Sequence, residues 1–298
     1  MTTTFDWIET NGVRLHVALA GPEDGELVVL LHGFPEFWKG MNAPLEAFAA
    51  AGYRVVAPDQ RGYNLSDKPQ GVDAYSLETL AADVVGLIDA MGHERAHVIG
   101  HDWGAAVTWW LAITCPERLR RVAVINVPHP SVLVRQLRRN PRQLARSWYM
   151  AAFQLPWLPE RAFVGRAGER LASALARTAN PGSFTADYLG DLRRAWSQPG
   201  APTAMLNWYR AALRRRPADP ADPAELSVHE PILILWGVND VALGRSLADE
   251  SLTLCDEGHL VLFDDATHWL LHDEPGQACR LLVDWVAERD LAPLHTAE

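Results

Sequence analysis

The chain has few cysteines, and they lie far apart. Only three occur in 298 residues, at Cys115, Cys255 and Cys279. No C-x-x-C pair and no metal-ligand spacing connects them, which argues against a disulfide-stabilised fold and a zinc centre. We therefore expect a protein without a bound metal.

Long apolar runs and an excess of positive charge are also missing. No run reaches the length needed to cross a bilayer, and residues 1–6 lack the basic and apolar regions of a signal peptide. We therefore expect a cytoplasmic protein with no membrane partner. The formal net charge of −10 argues against a nucleic-acid partner. Arginine clusters at residues 135–146 and 214–216 are interpreted as solvated helix faces, and a homo-oligomer is compatible with the sequence.

The residues that are present indicate one large α/β domain. Apolar runs of strand length alternate with helical patterns, which is typical of a mostly parallel sheet covered on both faces. We predict about eight strands, beginning with a hairpin at Asn11-Gly12. The predicted strands lie at residues 4–9, 14–20, 27–31, 54–57, 96–99, 121–126, 232–236 and 260–263.

The strand pattern stops between Pro128 and about Ala224, where several helices are predicted instead. We expect residues 1–128 and 225–298 to form the core and residues 129–224 to form a helical lid. Such a lid would cover the carboxyl ends of the strands, where open α/β sheets place their sites. The run from Pro217 to Pro223 is expected to be a connector. Core helices are predicted at residues 76–91 and 277–289.

A nucleophile elbow is predicted at Gly100-His101-Asp102-Trp103-Gly104. The motif lies between a β-branched run and a small-residue helix start, which is the strand, turn and helix context that an elbow requires. A carboxylate at the nucleophile position cannot form the acyl-enzyme of an esterase. Asp102 is instead expected to attack a saturated carbon and form an alkyl ester.

Such a nucleophile needs an orienting acid and a histidine base, in that order along the chain. Asp240 follows the seventh predicted strand, and His268 follows the eighth. Asp264 and Asp265 are near rivals of Asp240, but we interpret them as turn or helix-cap residues. An acid before the lid is the alternative, but Asn126 occupies that position and cannot carry the charge.

The loop after the third predicted strand carries His32-Gly33-Phe34. We expect the backbone amides of Phe34 and Trp103 to form an oxyanion hole. His32 is expected to be a structural hydrogen-bonding residue. Asp59 and Arg61 are expected to form an internal ion pair or to fasten a turn.

Five motifs carry a family resemblance: HGFPE (32–36), DQRGYNLSDKP (59–69), GHDWG (100–104), WGVND (236–240) and DATHW (265–269). In this order and spacing they resemble the epoxide hydrolases of the α/β-hydrolase superfamily. The resemblance spans essentially the whole chain. It implies an α/β-hydrolase fold, with a mostly parallel eight-stranded sheet and an inserted lid. It also implies a cofactor-independent enzyme that hydrolyses a small apolar epoxide to a vicinal diol.

The resemblance further implies two lid tyrosines that protonate the opening epoxide. Tyr209 lies in LNWYR (206–210), and Tyr149 lies in SWYM (147–150). With an unperturbed pKa of about 10, both would be neutral donors at pH 7. Trp103, Phe34 and Trp208 are expected to contact the substrate. The lid tryptophans are interpreted either as cavity lining or as lid core; they are Trp148, Trp157, Trp196 and Trp208.

Haloalkane dehalogenases share the core motifs and remain the alternative. A departing halide needs only N–H donors, whereas an epoxide oxygen needs a proton. Many dehalogenases carry an asparagine where this chain has Phe34, and fluoroacetate dehalogenases carry arginines where it has Trp103 and Ala106. A ligand receptor of the same fold also remains open, although the complete triad argues against it.

Overall fold

A computed structural model describes residues 2–214 and 226–291 of the chain. Its centre is an eight-stranded sheet. All eight predicted strands are present, with ends that differ by two residues at most. They are β1 (Thr4–Thr10), β2 (Val13–Ala20), β3 (Leu27–Leu31), β4 (Arg54–Pro58), β5 (Ala96–His101), β6 (Leu119–Ile125), β7 (Ile232–Gly237) and β8 (Gly258–Phe263).

The sheet order is β1-β2-β4-β3-β5-β6-β7-β8. β2 pairs antiparallel with both β1 and β4, and all the other neighbours pair parallel. Asn11 and Gly12 join β1 to β2 with φ values of +44° and +74°, as a two-residue hairpin turn of this type requires. The carboxyl ends of the parallel strands β5, β7 and β8 therefore lie along one edge, where the loops after them can meet.

The central strands are apolar on both faces because helices cover both sides of the sheet. In β3, Leu27 and Val29 pack into one hydrophobic cluster, while Val28 and Leu30 pack into the other. This alternation follows the two-residue period of a strand. The sheet is thus the middle of three layers, and its buried strands hold the loops at their ends in fixed positions.

The core helices are placed by recognisable end signals. The helix predicted at 76–91 begins at Leu77, where the Ser76 side chain accepts a hydrogen bond from the Thr79 amide, and Gly92 follows it with a φ of +78°. The last predicted helix is present but shifted towards the N-terminus. The core helices are α1 (Asn42–Ala50), α2 (Leu77–Ala90), α3 (Trp103–Thr114), α10 (Ser246–Leu252), α11 (Leu270–Asp273) and α12 (Pro275–Val286).

Between β6 and β7, residues 130–214 form a series of helices joined by turns. We call this segment, residues 130–214, the helical insertion. It contains α4 (Pro130–Arg139), α5 (Pro141–Arg146), α6 (Trp148–Ala152), α7 (Gly165–Ala176), α8 (Ala186–Trp196) and α9 (Ala201–Arg214). The expected connector at 217–223 lies outside the described residues. Within those residues, no helix is long and apolar enough to span a membrane.

Candidate active site

Asp102 lies in a sharp turn between β5 and α3. Its φ of +48° and ψ of −120° are unusual for a residue with a side chain. The turn needs the flanking glycines. A Cβ on Gly100 would lie 2.2 Å from the Gly104 carbonyl oxygen, and a Cβ on Gly104 would lie 2.1 Å from that of Leu31. The sequence therefore folds here into the predicted elbow and presents the carboxylate at the end of β5.

The predicted acid and base meet Asp102 at this edge of the sheet. His268 Nδ1 lies 2.7 Å from Asp240 Oδ2, and His268 Nε2 lies 3.5 Å from Asp102 Oδ2. Asp240 is buried, whereas its rivals Asp264 and Asp265 are exposed. The chain-order prediction thus selects the acid that contacts the histidine.

Backbone and side-chain donors hold the buried Asp240 carboxylate in place. Its Oδ1 accepts hydrogen bonds from the amides of Ala242 (2.7 Å) and Leu243 (2.9 Å). Asn126 donates from Nδ2 to Oδ2 at 3.0 Å. Asn126, which cannot itself serve as the acid, therefore helps to hold Asp240 in place. Oδ2 of Asp240 remains directed towards His268.

Charge within the site sets the protonation of His268. Burial alone would lower its pKa, but the negative charge of Asp240 and hydrogen bonds with both carboxylates outweigh burial and raise the pKa to about 10. Burial would raise the pKa of Asp240, but the His268 charge and the hydrogen bonds to the carboxylate lower it. At neutral pH the imidazolium therefore lies between two carboxylates.

One predicted oxyanion-hole amide contacts Asp102. The Phe34 amide donates to Asp102 Oδ1 at 2.6 Å. Gly33 permits this approach, since a Cβ there would lie 2.3 Å from the Asp102 Cβ. Trp103 directly follows Asp102 and begins α3, where backbone N–H groups have no intrahelical acceptor. The Phe34 ring packs 5.0 Å from the Tyr209 ring.

The two predicted tyrosines come together in a cavity that Asp102 also lines. Tyr149 from α6 and Tyr209 from α9 have ring centroids 6.0 Å apart, and both line a cavity with Asp102. Burial, reinforced by the charge of Asp102, raises the pKa of both phenols above the ordinary value. Both hydroxyls are therefore neutral at physiological pH and can donate a proton.

The cavity that contains these groups is small and predominantly apolar. Its volume is about 160 Å³, and Trp103 and Trp208 line it. The Trp208 indole also donates to the Arg61 carbonyl at 3.0 Å. Trp196 is buried in the core, but Trp148 and Trp157 are 69% and 71% exposed. Both sequence interpretations are therefore wrong for Trp148 and Trp157, which neither line the cavity nor form lid core.

The HGFPE motif contributes a buried carboxylate that sequence reasoning missed. Glu36 Oε1 accepts hydrogen bonds from His272 Nε2 (2.7 Å) and from the Tyr188 hydroxyl. Glu36 Oε2 lies 3.6 Å from His101 Nδ1, and His101 Nε2 lies 2.8 Å from the backbone oxygen of His268. Burial would raise the Glu36 pKa, but the histidine charge and hydrogen bonds hold it well below the usual range. The sequence offered one signal for this buried carboxylate, namely a glutamate in the loop after β3, which lies beside the elbow.

The remaining loop residues have structural roles, with one correction. His32 contacts the Gly33 carbonyl oxygen and accepts from the Gln60 amide, as expected of a structural residue. The expected ion pair between Asp59 and Arg61 is wrong. Arg61 pairs with Asp83, whose two oxygens match the guanidinium geometry. Asp59 instead fastens its turn through contacts with His16, Trp38 and Asn64.

The chain is similar to known proteins along most of its length. A family profile described as the α/β hydrolase fold matches residues 26–275. The chain is 46% identical to AB hydrolase superfamily protein YfhM of Bacillus subtilis, covering 94% of this chain and 96% of that protein. It is 31% identical to epoxide hydrolase A of Mycobacterium tuberculosis, covering 95% and 97%.

A solved structure of Bacillus megaterium epoxide hydrolase, in complex with an inhibitor, superposes with a TM-score of 0.84 at 29% identity. The alignment covers 95% of this chain and all of that one. The resemblance inferred from the motifs is confirmed. The chain belongs to the α/β-hydrolase superfamily and, within it, to the epoxide hydrolase family.

Proposed function

We propose that this protein hydrolyses a small apolar epoxide to a vicinal diol through an alkyl ester on Asp102. The observation that carries the proposal is the shared cavity: a carboxylate nucleophile faces two neutral tyrosines in a predominantly apolar enclosure. The helical insertion acts as the lid, because it supplies Tyr149 and Tyr209 while the sheet supplies the triad. No cofactor takes part in the proposed reaction.

In the first half-reaction an Asp102 oxygen forms a bond to an epoxide carbon, and the carbon–oxygen bond of the ring breaks. Tyr149 or Tyr209 gives its proton to the ring oxygen, because the departing alkoxide is far too basic to leave unprotonated at neutral pH. The tyrosinate is reprotonated as His268 gives up its proton. Loss of the Asp102 charge favours that transfer, since the carboxylate helps to hold the proton on His268.

In the second half-reaction neutral His268 takes a proton from water, and the resulting hydroxide attacks the ester carbonyl. The Phe34 and Trp103 amides stabilise the oxyanion. The bond between the carbonyl carbon and the alkyl oxygen breaks, and the diol leaves with a proton from the new carboxylic acid. Asp102 is again charged and His268 is again protonated, so the cycle closes.

Oxygen labelling and a trapping variant test this sequence of steps. Repeated turnover in heavy-oxygen water should place label in the Asp102 carboxylate. His268→Gln should accumulate alkyl-enzyme, seen as an added substrate mass on the intact protein. Asp264→Asn, which changes an exposed acid directly before the DATHW motif, should turn over without accumulation. Persistent absence of label in Asp102 would exclude the ester.

Leaving-group specificity separates this proposal from a haloalkane dehalogenase. The Trp103 and Tyr209 rings pack 5.0 Å apart, and the two neutral tyrosines can supply the proton that a departing epoxide oxygen needs and a departing halide does not. Diol formation from styrene oxide should therefore exceed halide release from bromoalkanes. Faster halide release would favour the dehalogenase, and saturable ligand binding without any turnover would favour a receptor.

A further inference from the structure

A short stretch of the helical insertion, from α5 to the turn after α6, carries several exposed apolar side chains. We call it the outer patch and define it by Leu144, Trp148, Leu155, Trp157 and Leu158, all exposed. Backbone hydrogen bonds from Ser147 to Gln143 and from Phe153 to Tyr149 continue the helical course from α5 through α6. Solvent-exposed apolar side chains concentrated in so short a stretch are typical of an interaction site.

The backbone at Trp157 adds an independent observation. This residue has a φ of +51°, a conformation that bulky side chains rarely adopt. Glycine or asparagine would fit such a turn more easily. The chain therefore keeps a tryptophan where the backbone disfavours it and where most of its side chain is exposed.

The outer patch lies in the most basic part of an acidic chain. Residues 130–170 contain eight arginines and two glutamates, although the whole chain has a formal net charge of −10. Five of these arginines are exposed close to the patch in sequence, and within residues 2–214 and 226–291 none of the five forms an ion pair. They are Arg138, Arg139, Arg142, Arg146 and Arg161.

The outer patch lies beside the mouth of the catalytic cavity. Tyr149 and Met150 from α6 line the cavity, next to the exposed Trp148. Val134 from α4 and Leu213 from α9 are exposed and also line the cavity, which places its opening between these helices. An apolar surface held against the patch would therefore adjoin the opening.

We propose that the outer patch docks onto an anionic lipid surface. Tryptophan is favoured at the membrane–water interface, and arginine can bury its alkyl stem while its guanidinium contacts phosphate. Basic side chains near an anionic leaflet add electrostatic attraction. A second copy of the chain fits less well, because a two-fold contact would bring the same unpaired arginines together. The proposal replaces the expectation of no membrane partner with a peripheral contact.

Vesicle flotation of the full chain tests the proposal without substrate, so the result is independent of the proposed function. The probes are vesicles of phosphatidylcholine alone and of phosphatidylcholine with phosphatidylglycerol. We expect binding to the anionic vesicles only, weakened by salt. The double variant Trp148→Ser/Trp157→Ser should lower the partition coefficient by about tenfold or more. Arg139→Glu/Arg142→Glu should lower it similarly.

The matched control is Trp7→Ser, which removes an exposed tryptophan from β1, far along the chain from the insertion. It should bind as the wild type does, and near-ultraviolet circular dichroism should show that the double variants remain folded. Absence of binding to anionic vesicles, or equal loss with Trp7→Ser, would overturn the proposal. So would a dimer in sedimentation equilibrium that Trp148→Ser/Trp157→Ser dissociates, since that result assigns the patch to a second copy.

Discussion

The proton on His268 connects the two halves of the proposed reaction at the scale of single residues. The residue must be neutral to activate water, yet its pKa of about 10 keeps it protonated in the free enzyme. Two of the contributions that raise the pKa come from Asp102, which loses its charge when the ester forms. The base therefore becomes available only once there is an ester to hydrolyse.

The Asp102→Asn variant should lower the His268 pKa, by about one to three units, because it removes one of the two carboxylates that stabilise the imidazolium. The measurement is a titration of the His268 ring proton by nuclear magnetic resonance. Asp240→Asn should also lower the midpoint, while Asp264→Asn should leave it in place. An unchanged midpoint in Asp102→Asn would mean that the Asp102 carboxylate does not stabilise the protonated form of His268.

The Tyr209→Phe variant should slow alkyl-enzyme formation about a hundredfold, because the opening epoxide loses a positioned proton donor. Tyr149→Phe should act in the same direction. Rapid-quench mass spectrometry measures the step directly. Tyr53→Phe removes a phenol that packs against Phe48, away from the cavity, and should react at the wild-type rate. A wild-type alkylation rate in both cavity variants would remove the tyrosines from the mechanism.

The contacts among Asp102, Asp240 and His268 could be predicted from the sequence because chain order and strand ends determine them. Each of these residues follows one of the parallel strands of the same sheet, so their meeting follows from topology. Glu36 was missed because its partners Tyr188 and His272 come from distant parts of the chain. Nothing in the local pattern around a glutamate shows that tertiary contacts bury it.

At the scale of elements, close backbone packing positions the elbow. The start of α3 lies against the end of β3, and the contact leaves no room for a side chain at Gly104. Gly276 in α12 provides the opposite case, since a Cβ there would meet nothing within 4 Å. Substitution of Gly104 therefore tests a steric requirement, whereas substitution of Gly276 tests helix propensity alone.

The Gly104→Ala variant should lower the free energy of unfolding by about 3 kcal/mol, because the methyl group forces α3 away from β3. Gly276→Ala should instead raise it by about 0.5 kcal/mol through helix propensity. Urea denaturation followed by circular dichroism measures both. If both variants change the free energy of unfolding by equally small amounts, the elbow accommodates the added methyl group without loss of stability.

Strands were easier to predict than the helical insertion for a physical reason. Buried strands such as β3 and β7 are short apolar runs with little ambiguity about their ends. The insertion divides into short helices such as α5 and α6, whose boundaries depend on proline and on contacts with the core. The exposure of Trp148 and Trp157 depends on those contacts too. The sequence alone therefore could not show that both rings face solvent.

At the scale of the whole molecule, Glu36 links the helical insertion to the core. It lies in the loop after β3 and contacts Tyr188 of α8 and His272 of α11. Its carboxylate is almost fully buried, at 2% exposure. A buried charge held by several donors becomes strongly destabilising when its partners are lost. The same contact that supports the site therefore also fixes how the insertion sits over it.

The Glu36→Gln variant should lower the free energy of unfolding by about 3 kcal/mol at neutral pH, because the variant loses the charge that the histidines and Tyr188 stabilise. The folded pKa of Glu36 lies below its unfolded value of 4.5. The stabilisation is therefore fully present above pH 4.5 and declines as the pH falls below that value. Denaturant titrations of wild type and variant between pH 7 and pH 3 should show their free energies of unfolding converging in acid.

Glu26→Gln is the control: it changes an exposed glutamate paired with Arg120, and its smaller effect should show no such convergence. A constant difference between wild type and Glu36→Gln at every pH would mean that packing, and not the ionised carboxylate, joins the insertion to the core.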